Sequence, residues 1–226
     1  MTTSTPAKAR DLHALADRAA RLVPPGRRAL LGITGAPGAG KTTLAQDLVD
    51  LLAASPPPGC VAGDWVAHVP MDGFHLADVE LRRLGRMHRK GAPDTFDGNG
   101  YAALLERLRA TAGSEVVYAP AFDRVIEQPV AGSIPVASAC RLVVSEGNYL
   151  LLDEEPWPRV RASFDEVWFC ELNGDERQRR LVERHIRFGK EPAAAQAWVR
   201  QTDEPNALLV QQHRERADLL VRTDPA

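Results

Sequence analysis

Cysteine, lysine, aromatic residues and long apolar runs are all scarce in this chain of 226 residues. The three cysteines, Cys60, Cys140 and Cys170, form no CxxC pair and have no histidine at metal-ligand spacing beside them. That excludes a disulfide framework or a structural zinc as the source of stability, and the thiols read as reduced and buried. A chain of this length buries roughly 70–75% of the surface its unfolded form exposes, so it needs neither device. No run approaches the eighteen apolar residues that would cross a bilayer, and the first thirty residues hold no segment like a signal peptide. The expectation is a cytoplasmic protein with no membrane partner. An excess of one charge is lacking too: 28 Lys+Arg stand against 30 Asp+Glu, a formal net charge of −2. That balance argues against work through non-specific contact with nucleic acid. Lysine occurs at Lys8, Lys41, Lys90 and Lys190, the remaining basic residues being arginine, and this bias alone carries no function. There are no repeats, no linker and no low-complexity tract, so residues 1–226 read as one domain.

What is present is a series of short apolar runs separated by Gly and Pro. Leu12, Leu15, Ala19 and Leu22 recur at helical spacing until Pro24-Pro25-Gly26, predicting a leading helix over about 8–23 after a frayed terminus. Ala29 to Thr34 reads as a strand ending in Gly35, and Leu44, Leu48, Leu51 and Leu52 mark a helix closed by Ser55-Pro56-Pro57-Pro58-Gly59. Val66 to Met71 is a second strand, interrupted at Asp72-Gly73, and residues 86–98 read as loop. Tyr101, Leu104, Leu105 and Leu108 mark another helix. A strand near Glu115–Ala119 precedes a Pro-punctuated stretch, Asp123 to Val136, that suits a β-ribbon. Arg141–Ser145 and Asp165–Leu172 are further strands. Asn173, with Glu176 three residues on, predicts a capping-box start for a helix to about Phe188. Ala193 to Arg216 reads as helical, broken near Pro205, with a last strand at Ala217–Val221. Alternating strands and helices, with strands apolar throughout, predict a three-layer α/β domain: a mainly parallel central sheet with helices on both faces.

Between the first such strand and its helix, Gly35-Ala36-Pro37-Gly38-Ala39-Gly40-Lys41-Thr42 fits the G-x-x-x-x-G-K-[ST] pattern. Composition would supply about 0.002 chance matches, so the signal is specific. Glycines let the backbone wind around phosphates, N–H groups point inward, and the helix N-terminus favours negative charge. Residues 35–42, with the adjoining Thr43, are therefore the expected nucleotide cradle. Lys41 would reach the β/γ-phosphates and the Thr42 hydroxyl would complete a Mg²⁺ site, implying a purine triphosphate with magnesium as cofactor.

A P-loop specifies phosphate, not reaction. A GTPase should carry an N-K-x-D base-reading motif, which is absent, and Asp97-Gly98-Asn99-Gly100 lies in a loop rather than after a strand. A transport or motor ATPase should end an apolar strand in Asp-Glu, as Tyr149 to Glu154 superficially does. A strand from Arg141 through Asp153 would however run thirteen residues, beyond the usual three to ten. A kinase needs a carboxylate beside the γ-phosphate, and Asp72 follows the second apolar strand, where doubly wound sheets bind ligands.

At this point the residues resemble the phosphoribulokinase, uridine kinase and bacterial pantothenate kinase superfamily of P-loop kinases. The resemblance runs from about Arg28 to Val221. It is carried by the P-loop, Met71-Asp72-Gly73-Phe74-His75, Arg89 to Asp97, Pro120-Ala121-Phe122-Asp123-Arg124, Val144 to Tyr149 and the Arg-rich segment after Asp175. It is nearest the pantothenate-kinase-like branch, with its sugar or nucleoside kinase-like relatives. The resemblance implies ATP as phosphoryl donor, Asp72 as the base, and Glu146 as organiser of metal-bound water and substrate. It places His75, Tyr118, Phe122, Arg124 and Tyr149 around the acceptor, and Lys90 is a candidate for holding an anionic substrate. The acceptor stays open between a pantothenate-like molecule, a nucleoside and a sugar, and a homodimer is allowed.

Arg177, Arg180, Arg184 and Arg187 are spaced 3, 4 and 3, which confines them to roughly an 80° arc of one helix face. With the resemblance, this predicts a helical lid over about 174–205 that brings Arg180 and Arg184 to the transferring phosphoryl group. The remaining histidines show no metal spacing, and Trp65, Trp157, Trp168 and Trp198 read as packing residues. Two readings compete with the kinase: a non-catalytic nucleotide-binding regulator, and an ATPase using Asp153-Glu154.

Overall fold

The protein is described from a computed structural model that covers residues 7, 8 and 11–224, the first two by backbone alone. Every residue of β2 (Ala29–Gly35) is buried, and its side chains alternate between two cores. Leu31 and Ile33 join a layer built by α1 (Leu12–Arg21) and α2 (Lys41–Ala54), whereas Leu30 faces α4 (Gly98–Ala110), α5 (Trp157–Ala162) and α8 (Glu204–Gln211). A strand apolar on both faces is what a covered parallel sheet requires. The sheet order is β1-β8-β7-β2-β6-β3, with β1 at Ala7–Lys8, β3 at Val66–His68, β6 at Leu142–Glu146, β7 at Glu166–Glu171 and β8 at Leu219–Arg222. Every pairing in it is parallel. The crossover from β2 runs to β3 on one side and the crossover from β6 runs back past β2 to β7, opening a crevice at the carboxyl ends of β2, β6 and β3. An antiparallel hairpin, β4 (Val117–Asp123) and β5 (Gln128–Val136), stands apart from this sheet; the stretch expected to be a ribbon, Asp123 to Val136, supplies its turn and second strand, and the strand expected near Glu115–Ala119 becomes its first.

Several boundaries differ from the sequence expectation. The leading helix starts at Leu12, not near residue 8, because the Asp11 carboxylate accepts from the Ala14 N–H at 3.1 Å and Lys8 pairs in β1 instead. Residues 1–6, 9 and 10 of the expected terminus and helix lie outside the described residues. β3 ends at His68, short of the expected Met71, and Met71–Phe74 turns as a 3₁₀ helix, so Asp72 sits within a turn beyond the strand rather than directly at its end. The short α3 (Asp78–Arg83) was not expected, since Leu81 is its one buried apolar position. At α6 (Gly174–Arg187) Asn173 caps the N–H groups of Asp175 and Glu176, but the Glu176 carboxylate turns to Arg179 and Arg180, so half of the capping box forms. After α7 (Pro192–Trp198) a π-turn at Val199–Asp203 precedes Pro205, which cannot continue the helical ladder behind it. Cys140 and Cys170 are buried thiols whose pKa burial raises to about 11 and about 12, while Cys60 is only half-buried. Among the described residues no helix is long and apolar enough to cross a membrane.

His68, on β3, has a buried Nε2 with no hydrogen-bond partner among the described residues, and burial pulls its pKa from 6.5 to about 4. The folded state therefore refuses a proton that the unfolded chain accepts. Stability should be full above pH 6.5 and fall by about 3 kcal/mol as pH drops through about 4. Replacing His68 by Leu should flatten that slope in urea titrations across this window; an unchanged slope would assign the acid sensitivity elsewhere.

Candidate active site

The loop between β2 and α2 winds through glycines at positive φ: Gly38 at 80° and Gly40 at 84°. Gly40 occupies the N-cap of α2 and offers no side chain, which leaves the helix's first N–H groups open to an anion. Two outside contacts hold the loop. The Thr223 hydroxyl donates to the Ala39 carbonyl at 2.7 Å, and the buried Arg177 guanidinium donates to the Pro37 carbonyl at 3.3 Å while pairing with Glu204 at 2.5 Å. The Lys41 ammonium donates to the Ala36 carbonyl at 3.0 Å, and burial holds its pKa below the usual lysine range.

Register brings the acids to this loop. Ile33 of β2 lies opposite Glu146 of β6, so Glu146 ends its strand beside the P-loop, and the Thr42 hydroxyl donates to Glu146 Oε1 at 3.1 Å. Burial first, and then the negative charge of Asp72, raise the Glu146 pKa to about 7, against the pull of Lys41 and Thr42. One strand over, the turn after β3 presents Asp72. These oxygen donors suit magnesium, which keeps waters and phosphate oxygens in its shell instead of demanding a protein cage. Among the described residues no group of three or more His, Cys, Asp or Glu is placed to enclose a metal.

The hairpin closes over Asp72 because Gly73 lets it. A Cβ at Gly73 would fall 2.3 Å from the Pro120 carbonyl oxygen, so a larger residue would push β4 away. The close approach sets Arg124 Nη2 2.6 Å from Asp72 Oδ2. His75 Nδ1–H donates to the Asp72 carbonyl at 2.8 Å, and its ring lies against Phe96 and Phe122, with centroids 4.0 and 4.7 Å away. Burial lowers the His75 pKa. Lys90 and Arg124 both stand over the Phe122 ring, at 5.4 and 5.0 Å.

The far wall comes from α6, α7 and the π-turn. Arg184 touches solvent at the cavity mouth but is hemmed in by protein, and that burial together with Arg124 lowers its pKa. His185 bonds Asp203 at 2.8 Å and meets the Trp198 ring edge-on, while the Lys190 ammonium stands 4.5 Å from the Trp198 ring centre. Together these walls enclose a cavity of about 300 Å³ lined by Lys41, Thr42, Asp72, His75, Glu146 and Arg184 among others.

No family model matches the chain. Individual proteins do. The ATP-dependent kinase-like protein notR' of Aspergillus versicolor is 39% identical over 145 residues, 61% of this chain and 84% of its own length. A provisionally named uridine kinase of Schizosaccharomyces pombe is 32% identical over 179 residues, 77% of this chain and 74% of its own length. A solved structure from Silicibacter sp. TM1040, described provisionally as a fructose transport system kinase, matches with a TM-score of 0.82 at 36% identity, covering 92% of this chain and 98% of that one. The chain belongs to the uridine kinase, phosphoribulokinase and pantothenate kinase superfamily of P-loop kinases. It is an ATP-dependent kinase with a small-molecule substrate.

Within this kinase, Asp72, Lys41, Thr42, His75, Lys90, Phe122, Arg124, Glu146 and Arg184 all line the cavity, as the sequence reading expected. Of the residues expected to be catalytic or to meet the acceptor, Tyr118, Tyr149 and Arg180 do not line it. Tyr118 is 61% exposed, since alternation along β4 turns Val117 and Ala119 inward and Tyr118 out. Tyr149 is buried between Phe96 and Trp157, and its hydroxyl donates to the Gly91 carbonyl, so it props the loop carrying Lys90 from behind. Arg180 is held by Glu176 at 2.7 Å, one turn back on its own helix. His185, Lys190, Trp198, Asp203 and Asn206 line the cavity and were missed. Trp198, read as packing, is therefore a wall residue; its place on one short helix carried no signal of what lay opposite. Asp153 is 71% exposed and pairs with His213 at 3.0 Å, away from the cavity lining, which removes the structural basis of the Asp153-Glu154 ATPase reading.

Proposed function

We propose that this kinase transfers the γ-phosphoryl group of ATP to a hydroxyl of a small metabolite, with Asp72 as the general base. The supporting observation is that Asp72, Lys41, Thr42 and Glu146 line one cavity at the ends of adjacent strands. Arg124 holds Asp72 Oδ2, and among the described hydrogen bonds Oδ1 has no partner, so it can face the acceptor. The acceptor O–H gives its proton to that oxygen as the new O–P bond forms. The bond from the γ-phosphorus to the bridging oxygen breaks, and ADP leaves with the electron pair. Lys41 and Arg184 offset the charge that spreads over the phosphoryl oxygens. Thr42 directly, and Glu146 through water, would hold Mg²⁺, which neutralises phosphate charge when bound. The cavity's mixture of aromatic and polar walls fits pantothenate-like acids, nucleosides and sugars. The names of the S. pombe and Silicibacter relatives point toward the last two.

The test is ADP release with ATP and Mg²⁺ across these three acceptor classes. At least one acceptor should raise release well above the rate without it. Tight ATP binding with no acceptor-stimulated release would instead favour a nucleotide-binding regulator.

A further inference from the structure

The cavity holds more hydrogen-bond donors than phosphoryl transfer uses. Arg124 gives one nitrogen, Nη2, to Asp72, while its side chain stays 46% exposed. Lys90 donates to the Asp78 carboxylate and the Glu127 carbonyl, leaving one of its three N–H groups. Lys190 goes further: among the described residues its ammonium engages neither carboxylate nor carbonyl and rests over Trp198. A ring face holds an ammonium in place without neutralising it, so the charge and its donors remain available. Lys41 and Arg184 lie with Glu146 at the phosphate end. Of the carboxylates lining the cavity, Asp72 is taken by Arg124 and Asp203 by His185, and Glu146 accepts from Thr42, while Glu127, on the exposed hairpin turn, makes no ion pair with Lys190 among the described residues.

We propose that the acceptor carries an anionic oxyacid group, a carboxylate or a phosphate ester, and that Lys190 receives it while Asp72 faces the hydroxyl to be phosphorylated. This rests on the phosphoryl-transfer reading above and narrows its acceptor class. An anion here forms charge-assisted hydrogen bonds in a partly enclosed cavity, whereas a neutral analogue leaves the ammonium unpaired, and such sites reject the analogue strongly. The alternative role for Lys190 is structural, a staple between the end of α6 and Trp198.

The experiment compares acceptors with and without an anionic oxyacid group: pantothenate with pantothenyl alcohol, gluconate with glucitol, and fructose 6-phosphate with fructose, each at saturating ATP and Mg²⁺. The charged member of at least one pair should show kcat/KM about tenfold or more above its neutral partner. Lys190→Met should collapse that ratio toward unity through KM of the charged member, and Lys190→Arg should restore it. A carboxylate pair or the phosphate pair responding alone identifies which oxyacid the site takes. Equal turnover of both members, turnover of neutral members alone, or a Lys190→Met loss falling alike on both members overturns the inference and leaves the transfer reading standing. No ADP release from any acceptor, with ATP binding intact, overturns the transfer reading and this inference with it.

Discussion

Asp72→Asn should lower kcat by about 10²–10⁴-fold while leaving ATP affinity within about twofold of the parent. The amide keeps an oxygen for Arg124, so the hairpin stays in place over the site, but it cannot take the acceptor's proton. Removing a group that acts in the transition state lowers kcat and kcat/KM together, whereas losing a binding contact would raise KM. ATP affinity measured by calorimetry, beside ADP release with the best acceptor, separates the two. A fall in kcat of less than tenfold would reassign the base, with Glu146 the next carboxylate on the cavity wall.

Arg28→Met should destabilise the fold by about 4 kcal/mol, read as a fall of about 2 M in the urea midpoint. Arg28 has no exposed surface, and its guanidinium donates to three backbone carbonyls: Leu108 at 2.6 Å, Cys140 at 2.8 Å and Ala137 at 3.0 Å. It thereby ties the last turn of α4 and the segment before β6 to the start of β2. Methionine fills similar space but leaves three buried acceptors unpaired at about 1–3 kcal/mol each, partly offset because a charge is no longer taken from water. Burial lowers the pKa of Arg28, in keeping with such a setting. Since domains of this kind are stable by only about 5–15 kcal/mol, the change should be plain. A midpoint shift below about 0.5 M would show that the carbonyls find other partners.

Nothing local to Arg28 marks it as a charge with no exposed surface. An arginine before an apolar strand reads as a surface residue, and its three acceptors come from residues 80 to 112 positions away. The arginine stripe of α6 teaches the same lesson on one helix. The wheel correctly puts Arg177, Arg180 and Arg184 on one side, but angular spacing says nothing about what each faces. Arg177 meets the P-loop carbonyl, Arg180 folds back on Glu176, and Arg184 reaches the cavity. Trp198 and His185 were unreadable for a related reason: they enter the site because α7 and the π-turn after it fold back against α6, and no periodicity encodes that fold-back.

The chain's order of residues was enough to establish the P-loop, the strand and helix alternation around it, the hairpin, and the acids at Asp72 and Glu146. These depend on contacts between near neighbours, on glycine's conformational range and on a period of two or 3.6, all of which are written along the backbone. Tertiary packing decided the rest. It set Arg124 against Asp72 through the close approach at Gly73, turned Tyr118 out and Tyr149 behind the wall, and left Lys190 over Trp198 with no ion pair among the described residues. Those outcomes depend on which surfaces meet across long stretches of chain, and the energy of a charge or a donor is settled by its neighbours in space.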